Sequence, residues 1–340
     1  MKEFKFEDIS LILHRNCNLK CSYCPLEHFD EKMDPLILRS FMEDLLEYEG
    51  YLLSLCLFWG EPLLNPEAFQ VLRDFFRVNA VKIKEKDIKF EVKIITNWVL
   101  INDKYIQIFQ EFQADDNIIF EINLSIDGTR ETQISQRGMR NSKFDYYDML
   151  QANIQKLKEN DIFFTFGLVM AFERSDFITD ILYLWNTYQI PVFIMPVDLD
   201  YDYIKNNKNI YSFVDNYLRA IHKTLMYFHH PERRHVILNM QEPDFRDLKM
   251  PPIGPTLSHD GEIYITRDYL FTMDGSAGFT PIFHYPKDSI HSIMNYFTWN
   301  DIVELEHFWL KSYYGKTLPL NKKIGDYFTK LLYHPRGENM

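Results

Sequence analysis

The chain has 340 residues, of which 46% are hydrophobic and 25% are charged, and its formal net charge is −12 at pH 7. This composition is typical of a soluble globular enzyme with one or two domains, and the acidic balance argues against non-specific binding of nucleic acid. The first residues do not resemble a signal peptide, and no apolar run is long enough to cross a bilayer. We therefore expect a cytoplasmic protein that does not associate with membranes.

Strand-like and helix-like segments alternate over about the first 200 residues. Apolar runs predict strands over residues 9–14, 52–58, 90–96, 118–126, 163–171 and 192–197. Helices are predicted between them, and the first two begin at Asp34-Pro35 and Asn65-Pro66, where a capping side chain precedes a proline. Six successive β-then-α units favour a parallel sheet, and in an α/β barrel the catalytic residues lie in the loops after the strands.

Three of the four cysteines, Cys17, Cys21 and Cys24, lie in the loop after the first predicted strand. Thiolates at this Cys-x3-Cys-x2-Cys spacing suit a cubane iron–sulfur cluster, which normally takes four protein ligands, so one iron stays open for another ligand. A structural zinc site is the alternative, but it needs a fourth ligand, and the sequence has no C-x2-C or H-x3-H pair to complete it. A disulfide framework does not suit an acidic chain that looks cytosolic.

The cysteine spacing resembles the signature of the radical S-adenosylmethionine (SAM) superfamily. The resemblance implies that Cys17, Cys21 and Cys24 bind a [4Fe–4S] cluster, that SAM chelates the open iron, and that reductive cleavage of SAM releases a 5′-deoxyadenosyl radical. It also implies an α/β fold, with a partial (β/α)6 radical SAM barrel in a core domain over residues 1–205. A smaller α+β C-terminal extension would then cover residues 206–340.

The segment Gly60-Glu61-Pro62 follows the second predicted strand and is similar to the Gly-Gly-Glu-Pro element of this superfamily, which receives the methionine ammonium of SAM. A carboxylate gives an ammonium a charge-assisted hydrogen bond, and glycine lets the backbone approach a ligand closely. Tyr23 lies between the second and third cysteines, at a position that is usually aromatic in the family and packs near the adenine. The resemblance therefore implies that Tyr23, Gly60 and Glu61 contact SAM.

The segment Ser125-Ile126-Asp127-Gly128 follows the fourth predicted strand. It matches the Ser-(Leu/Ile)-Asp-Gly element of the SPASM-related subgroup that contains peptide-modifying and sulfatase-maturing enzymes, in which the serine contacts SAM. Arg137 lies where relatives often have an arginine, and a guanidinium can hold a carboxylate, here that of SAM, through two parallel hydrogen bonds. The alternative for Arg137 is a solvated surface charge.

Positions 59 and 98 have tryptophan where relatives have glycine, so the segment Thr96-Asn97-Trp98 replaces a Thr-Asn-Gly element. An indole in place of hydrogen crowds a backbone that approaches SAM. Three explanations are open: the site tolerates the rings, the protein is a degenerate relative that does not catalyse, or the gene decodes UGA as glycine. The third is motivated by the direction of both changes and by the 12 glycines in the chain, about half the usual share.

The C-terminal part carries fewer signals. Residues 210–228 are predicted to be helical, and a β-hairpin is predicted with its turn at Asp260-Gly261. The hairpin resembles the one that opens the SPASM extension, where cysteines bind an auxiliary cluster. No cysteine follows Cys56, so such a cluster has no ligands here. Two further helical patterns occupy residues 299–310 and 321–332.

The function that this resemblance implies is hydrogen abstraction from a substrate after SAM cleavage. The subgroup favours a peptide or protein side chain as substrate, with a small metabolite or a degenerate relative as alternatives. An external electron donor such as flavodoxin or ferredoxin is implied. Cys56 lies within an apolar strand and is expected to pack in the core rather than to donate hydrogen.

Overall fold

The computed structural model describes residues 8–24, 26, 28–47, 52–140, 145–171, 174, 176–197, 210–238, 256–264, 283–285 and 287. In chain order the strands are β1 Asp8–Leu11, β2 Leu19–Cys21, β3 Leu52–Leu57, β4 Lys89–Thr96, β5 Ile118–Ser125, β6 Arg137–Met139, β7 Phe164–Met170, β8 Val192–Pro196, β9 Thr256–Leu257, β10 Glu262–Tyr264 and β11 Phe283–His284. The α-helices are α1 Pro35–Leu45, α2 Pro66–Glu85, α3 Asp103–Ala114, α4 Arg130–Gln136, α5 Tyr147–Glu159, α6 Ile178–Tyr188 and α7 Ile210–Phe228.

Six parallel strands form the centre of one sheet, in the order β1-β3-β4-β5-β7-β8. Helices lie between successive strands of this series, which confirms the predicted α/β fold with six β-then-α units and gives the partial barrel. Most of β3 is buried, as expected for a central strand that is covered on both faces. The carboxyl ends of the parallel strands therefore meet at one edge of the sheet.

Local capping explains where two helices begin. The Asp34 side chain accepts a hydrogen bond from the Leu36 amide at the start of α1, and the Asn65 side chain accepts one from the Ala68 amide at the start of α2. The Asn65 side chain also donates to the Leu13 carbonyl at 2.9 Å. The cap of α2 thus holds the chain that leads from β1 into the cysteine loop.

A two-stranded antiparallel sheet, β2 with β6, was not predicted. It pairs the cysteine loop with the segment after α4, in the register Cys21 opposite Arg137. Strands of three residues are too short to produce a periodic signal, and their pairing depends on contacts far apart in the chain. Helix α1 ends at Leu45.

The predicted hairpin is present as β9 and β10, and the turn glycine Gly261 has a φ of +88°. A Cβ atom there would lie 2.3 Å from the Tyr285 carbonyl oxygen, so the turn requires glycine. Strand β9 pairs in parallel with β1, so the hairpin extends the barrel sheet at its edge. Helix α7 matches its prediction, whereas the helical patterns at 299–310 and 321–332 lie outside the described residues. No described helix is long and apolar enough to span a membrane.

Candidate active site

The predicted motifs meet at the carboxyl edge of the parallel strands. The cysteine loop follows β1, Gly60 and Glu61 follow β3, the pair Thr96 and Asn97 ends β4, and Ser125 ends β5. Neighbouring parallel strands bring these ends together although successive segments lie 28 to 43 positions apart in the chain. The sheet thus brings the separately predicted segments to one edge.

Gly60 has a φ of +55°, and its backbone lies directly against the cysteine loop. A Cβ atom at this position would lie 2.3 Å from the Asn16 carbonyl oxygen and 2.5 Å from that of His14. The next amide, of Glu61, donates to the Asn16 carbonyl at 2.8 Å. The sequence suggested that glycine at position 60 lets the backbone approach a ligand. In the structure, it lets the backbone approach the main chain that leads into Cys17.

Glu61 lies entirely inside the protein, where its side chain is 0% exposed. One carboxylate oxygen accepts hydrogen bonds from the Leu63 amide at 3.0 Å and the Thr96 hydroxyl at 2.6 Å, and the other accepts one from the Asn97 amide at 2.7 Å. A carboxylate without exposed surface cannot contact the SAM ammonium in this conformation. The geometry gives the Glu61 side chain a positioning role and leaves only the backbone of this segment to face a ligand.

Asn97 joins this group to the cysteines and was not among the predicted site residues. Its side-chain amide donates to the Cys17 Sγ at 3.5 Å and to the Asn18 side chain at 2.7 Å, while its backbone amide binds Glu61. The Cys17 sulfur also receives the Leu19 amide at 3.4 Å. The only sequence signal for Asn97 was its place in the Thr-Asn pair after the third strand.

Burial raises the pKa of Glu61 to about 7, although hydrogen bonds from Thr96, Asn97 and Leu63 act to lower it. Since the ordinary value is 4.5, the stability that the neutral carboxyl contributes is fully present below pH 4.5 and is lost as pH rises through about 7. We expect the free energy of unfolding to fall by about 3 kcal/mol over this window from this group alone. Denaturant unfolding at a series of pH values measures it.

The Glu61→Gln variant has no ionisable group at this position, so its unfolding free energy should lack this fall. Glu67→Gln removes an exposed carboxylate that pairs with Lys32 and serves as the matched control. If wild type and the Glu61→Gln variant show the same pH dependence, Glu61 does not titrate in this range.

A second group surrounds Cys21. The Arg137 guanidinium binds the buried Asp127 carboxylate through Nε at 2.8 Å and Nη2 at 3.0 Å. The Tyr23 hydroxyl donates to the same carboxylate at 2.7 Å, and the Arg137 Cζ lies 5.4 Å from the centre of the Tyr23 ring. Arg137 is buried, so the alternative of a solvated surface charge is wrong. Its Nε–Nη2 edge binds Asp127 and is not available to the SAM carboxylate.

The Arg137 charge also lies close to the Cys21 thiol. Burial raises the pKa of the Cys21 thiol to about 12, and the nearby Arg137 charge acts in the opposite direction. Burial likewise raises the pKa of the Cys17 thiol to about 12. A ligand set of this kind needs nearby N–H donors and cations once the thiolates form, and Arg137 provides a cation for Cys21.

Ser125 is half-buried at the end of β5, beside the indole of Trp98. The Trp98 Nε1 donates to the Ser125 carbonyl at 3.1 Å. Trp59 immediately precedes Gly60, and its side chain is also buried. Both tryptophans therefore follow strands at the edge of the sheet where the predicted SAM residues meet.

The donor set of the loop fits an iron–sulfur cluster. Two N–H groups point at the Cys17 sulfur, the Arg137 cation lies close to Cys21, and Arg140 donates to the Cys17 carbonyl at 3.1 Å. Hydrogen bonds to the sulfurs and nearby positive charge are what such clusters use to stabilise their thiolate ligands. In the part of the chain that is described, no three Cys, His, Asp or Glu side chains converge on one metal ion. Each thiolate of a cubane binds a different iron, so convergence on one point is not required.

Comparison with known proteins gives a match over the barrel. Residues 11–177 match the family model described as the Radical SAM superfamily. No curated protein matches the chain in sequence. The match covers the cysteine loop and the loops after the next three parallel strands, which are the segments that form the site.

Solved structures share the fold. The chain is similar to native anSMEcpe with bound AdoMet, which is SAM, and Cp18Cys peptide, at 15% identity and a TM-score of 0.71, covering 97% of each chain. It is also similar to Streptococcus suis SuiB bound to precursor peptide SuiA, at 15% identity and a TM-score of 0.59. That alignment covers 86% of this chain and 65% of SuiB.

Proposed function

The chain carries a radical SAM domain and is a radical SAM enzyme, and on this basis we propose that it cleaves SAM reductively and abstracts hydrogen from a peptide or protein side chain. The bound cluster would supply one electron to the SAM sulfonium, so that a C–S bond breaks into methionine and a 5′-deoxyadenosyl radical. The observation that carries the proposal is the cysteine loop, where Cys17 receives two N–H donors and the Arg137 cation lies close to Cys21.

The roles of the chain's own residues follow from their contacts. Cys17, Cys21 and Cys24 would hold the [4Fe–4S] cluster. For SAM, we assign the backbone at Gly60 and Glu61, the hydroxyl of Ser125 and the ring of Tyr23.

Two further residues are assigned as positioning residues. Asn97 links Glu61 to Cys17, and Asp127 orients both Arg137 and Tyr23. For Arg137 itself, the contact with Cys21 supports a role beside the cluster more directly than the SAM carboxylate clamp predicted from the sequence. A clamp would have to use the part of the guanidinium that does not bind Asp127.

A peptide is favoured as substrate over a small metabolite. Two solved structures of the same fold, anSMEcpe and SuiB, were determined with bound peptides. The Ser-Ile-Asp-Gly segment ending at Gly128 matches the peptide-modifying subgroup. The alternative of a non-catalytic relative rests on Trp59 and Trp98, whose indoles lie among the residues assigned to SAM.

The electron balance of the reaction follows from the cysteine count. The chain has four cysteines, and the one outside the loop, Cys56, is buried in β3. No set of ligands remains for an auxiliary cluster that would accept an electron from a substrate radical. We propose a reaction that is redox-neutral overall, such as an epimerisation, a rearrangement or a group addition, or one that returns the electron to the SAM cluster or an external acceptor. A flavodoxin or ferredoxin would reduce the cluster.

The test uses anaerobically reconstituted protein with a reductant and SAM. We expect 5′-deoxyadenosine as product and about four irons per chain. Protein that binds the cluster but makes no 5′-deoxyadenosine would support the degenerate alternative. About eight irons per chain would contradict the single cluster. A short peptide encoded beside the gene, deuterated at its side chains, would test the substrate class, since deuterium should appear in 5′-deoxyadenosine.

The role of Arg137 predicts a change in cluster potential. The Arg137→Gln variant loses a cation close to Cys21, so we expect the reduction potential of its cluster to become more negative. Arg137→Lys keeps the charge and should shift the potential less. Redox titration followed by electron paramagnetic resonance measures the shift. Arg130→Gln removes a half-exposed arginine that pairs with Asp145 and is the matched control. Unchanged potentials in all three variants would remove Arg137 from the cluster environment.

A further inference from the structure

Five residues other than glycine have a positive φ among those described, and two of them are tryptophans. Three of the five follow a helix: Asp87 after α2, Asp161 after α5 and Gln189 after α6. A left-handed residue there is a common way to end a helix, and aspartate tolerates it. Trp59, with a φ of +95°, and Trp98, with a φ of +54°, instead follow strands. A bulky side chain in this region of φ is a genuine outlier.

The two tryptophans hold equivalent places in the barrel. Trp59 follows β3 and Trp98 follows β4, so both lie at the carboxyl edge of neighbouring parallel strands. Gly60 is also left-handed, which makes residues 59 and 60 two consecutive positions that favour glycine. The remaining tryptophan in the described chain, Trp185, lies inside helix α6 with ordinary helical geometry.

Both indoles are buried, and that of Trp98 contacts a residue assigned to SAM. The Trp98 ring reaches the end of β5 and donates to the Ser125 carbonyl at 3.1 Å. The Trp59 ring is buried but is not a member of the hydrophobic core cluster in the described residues, whereas Trp98 is. Hydrogen in place of either ring would remove the strain of the left-handed backbone and free space at this edge of the sheet.

We infer that positions 59 and 98 are glycine in the protein as its own cell makes it, because both codons are UGA and a glycine-charged tRNA reads them. The backbone selects glycine at both positions, and the chain as written has only 12 glycines in 340 residues. This inference does not depend on the proposed function. It also explains why crowding of the site by Trp59 and Trp98 need not prevent catalysis.

The first test reads the gene and the native protein. We expect UGA at codons 59 and 98 and UGG at codon 185, and peptide masses from protein isolated from the source organism should fit glycine at 59 and 98. Trp185 serves as the internal control, since its peptide should carry tryptophan. UGG at codon 59 or 98, or a tryptophan mass at either position, would overturn the inference for that position.

The second test compares variants of recombinant protein made with tryptophan codons. Removal of a ring leaves a cavity, so each glycine variant is compared with the alanine variant at the same position, which has nearly the same cavity but a different backbone preference. We expect a higher Tm for Trp59→Gly than for Trp59→Ala, and for Trp98→Gly than for Trp98→Ala, because a positive φ favours glycine. At Trp185, half-buried within α6, the order should reverse, because glycine is the poorer helix former. An alanine variant at position 59 or 98 that is as stable as the glycine variant would overturn the inference for that position.

Discussion

Replacing Cys21 by alanine is expected to abolish 5′-deoxyadenosine formation, with loss of most of the bound iron. Cys21 is the central cysteine of the loop, and its strand pairs with β6 so that Arg137 lies opposite. With only two thiolates left in the loop, a cubane would lack one of the three protein ligands that the chain offers. Iron analysis and visible absorption measure the cluster, and chromatography measures the product.

Cys56→Ala is the matched control for this experiment. Cys56 is buried in β3, outside the loop, and replacing a small buried thiol with alanine should leave iron content and 5′-deoxyadenosine formation close to wild type. If the Cys21→Ala variant retained full iron and activity, the loop would not be the cluster site. A loss in Cys56→Ala equal to that in Cys21→Ala would indicate a general folding defect instead.

The fold and the superfamily were accessible from the sequence. The six apolar runs became six parallel strands, and the radical SAM resemblance of the cysteine loop is confirmed. Both rest on local signals. Apolar runs, prolines at helix starts and cysteines at fixed spacing can each be recognised within a short stretch of sequence. The same stretches show that each motif follows a strand, and therefore that the motifs lie at one edge of the sheet.

The contacts within the site could not be predicted from the sequence. The pairing of Arg137 with Asp127 depends on α4, a helix of seven residues that no periodic pattern in the sequence predicted. The place of Arg137 opposite Cys21 joins residues more than a hundred positions apart. Sequence spacing cannot say which of two available carboxylates, that of SAM or that of Asp127, an arginine will meet.

The orientation of the Glu61 side chain could not be predicted from the sequence for a different reason. A Gly-Glu-Pro segment after a strand suggested a carboxylate that faces SAM, but the side chain turns inward to cap the Pro62–Leu64 turn and to bind Thr96 and Asn97. Whether a glutamate after a strand faces the ligand or the interior is decided by which backbone amides lack partners nearby. The Leu63 amide lies in the same segment but the Asn97 amide belongs to another loop, so the residue type alone does not reveal the choice.

Replacing Gly60 by alanine is expected to destabilise the protein by more than about 2 kcal/mol and to impair the cysteine loop. The added Cβ would lie 2.3 Å from the Asn16 carbonyl oxygen and 2.5 Å from that of His14, and the φ of +55° is unfavourable for alanine. Relief of these contacts has to move the backbone just before Cys17, because the obstructing atoms are main-chain carbonyls. Denaturant unfolding gives the stability, and iron content after reconstitution reports on the loop.

Gly138→Ala separates this effect from the general cost of replacing glycine. Gly138 lies in β6 of the same site region, but a Cβ there would meet its nearest neighbour, the Ile134 carbonyl oxygen, at an ordinary 3.7 Å. We expect its unfolding free energy to stay within about 1 kcal/mol of wild type. Equal losses of stability in the two variants would show that contact with the cysteine loop is not what requires glycine at position 60. A large loss confined to Gly60→Ala, together with lower iron content, would tie the Gly60 backbone to the geometry of the cluster ligands.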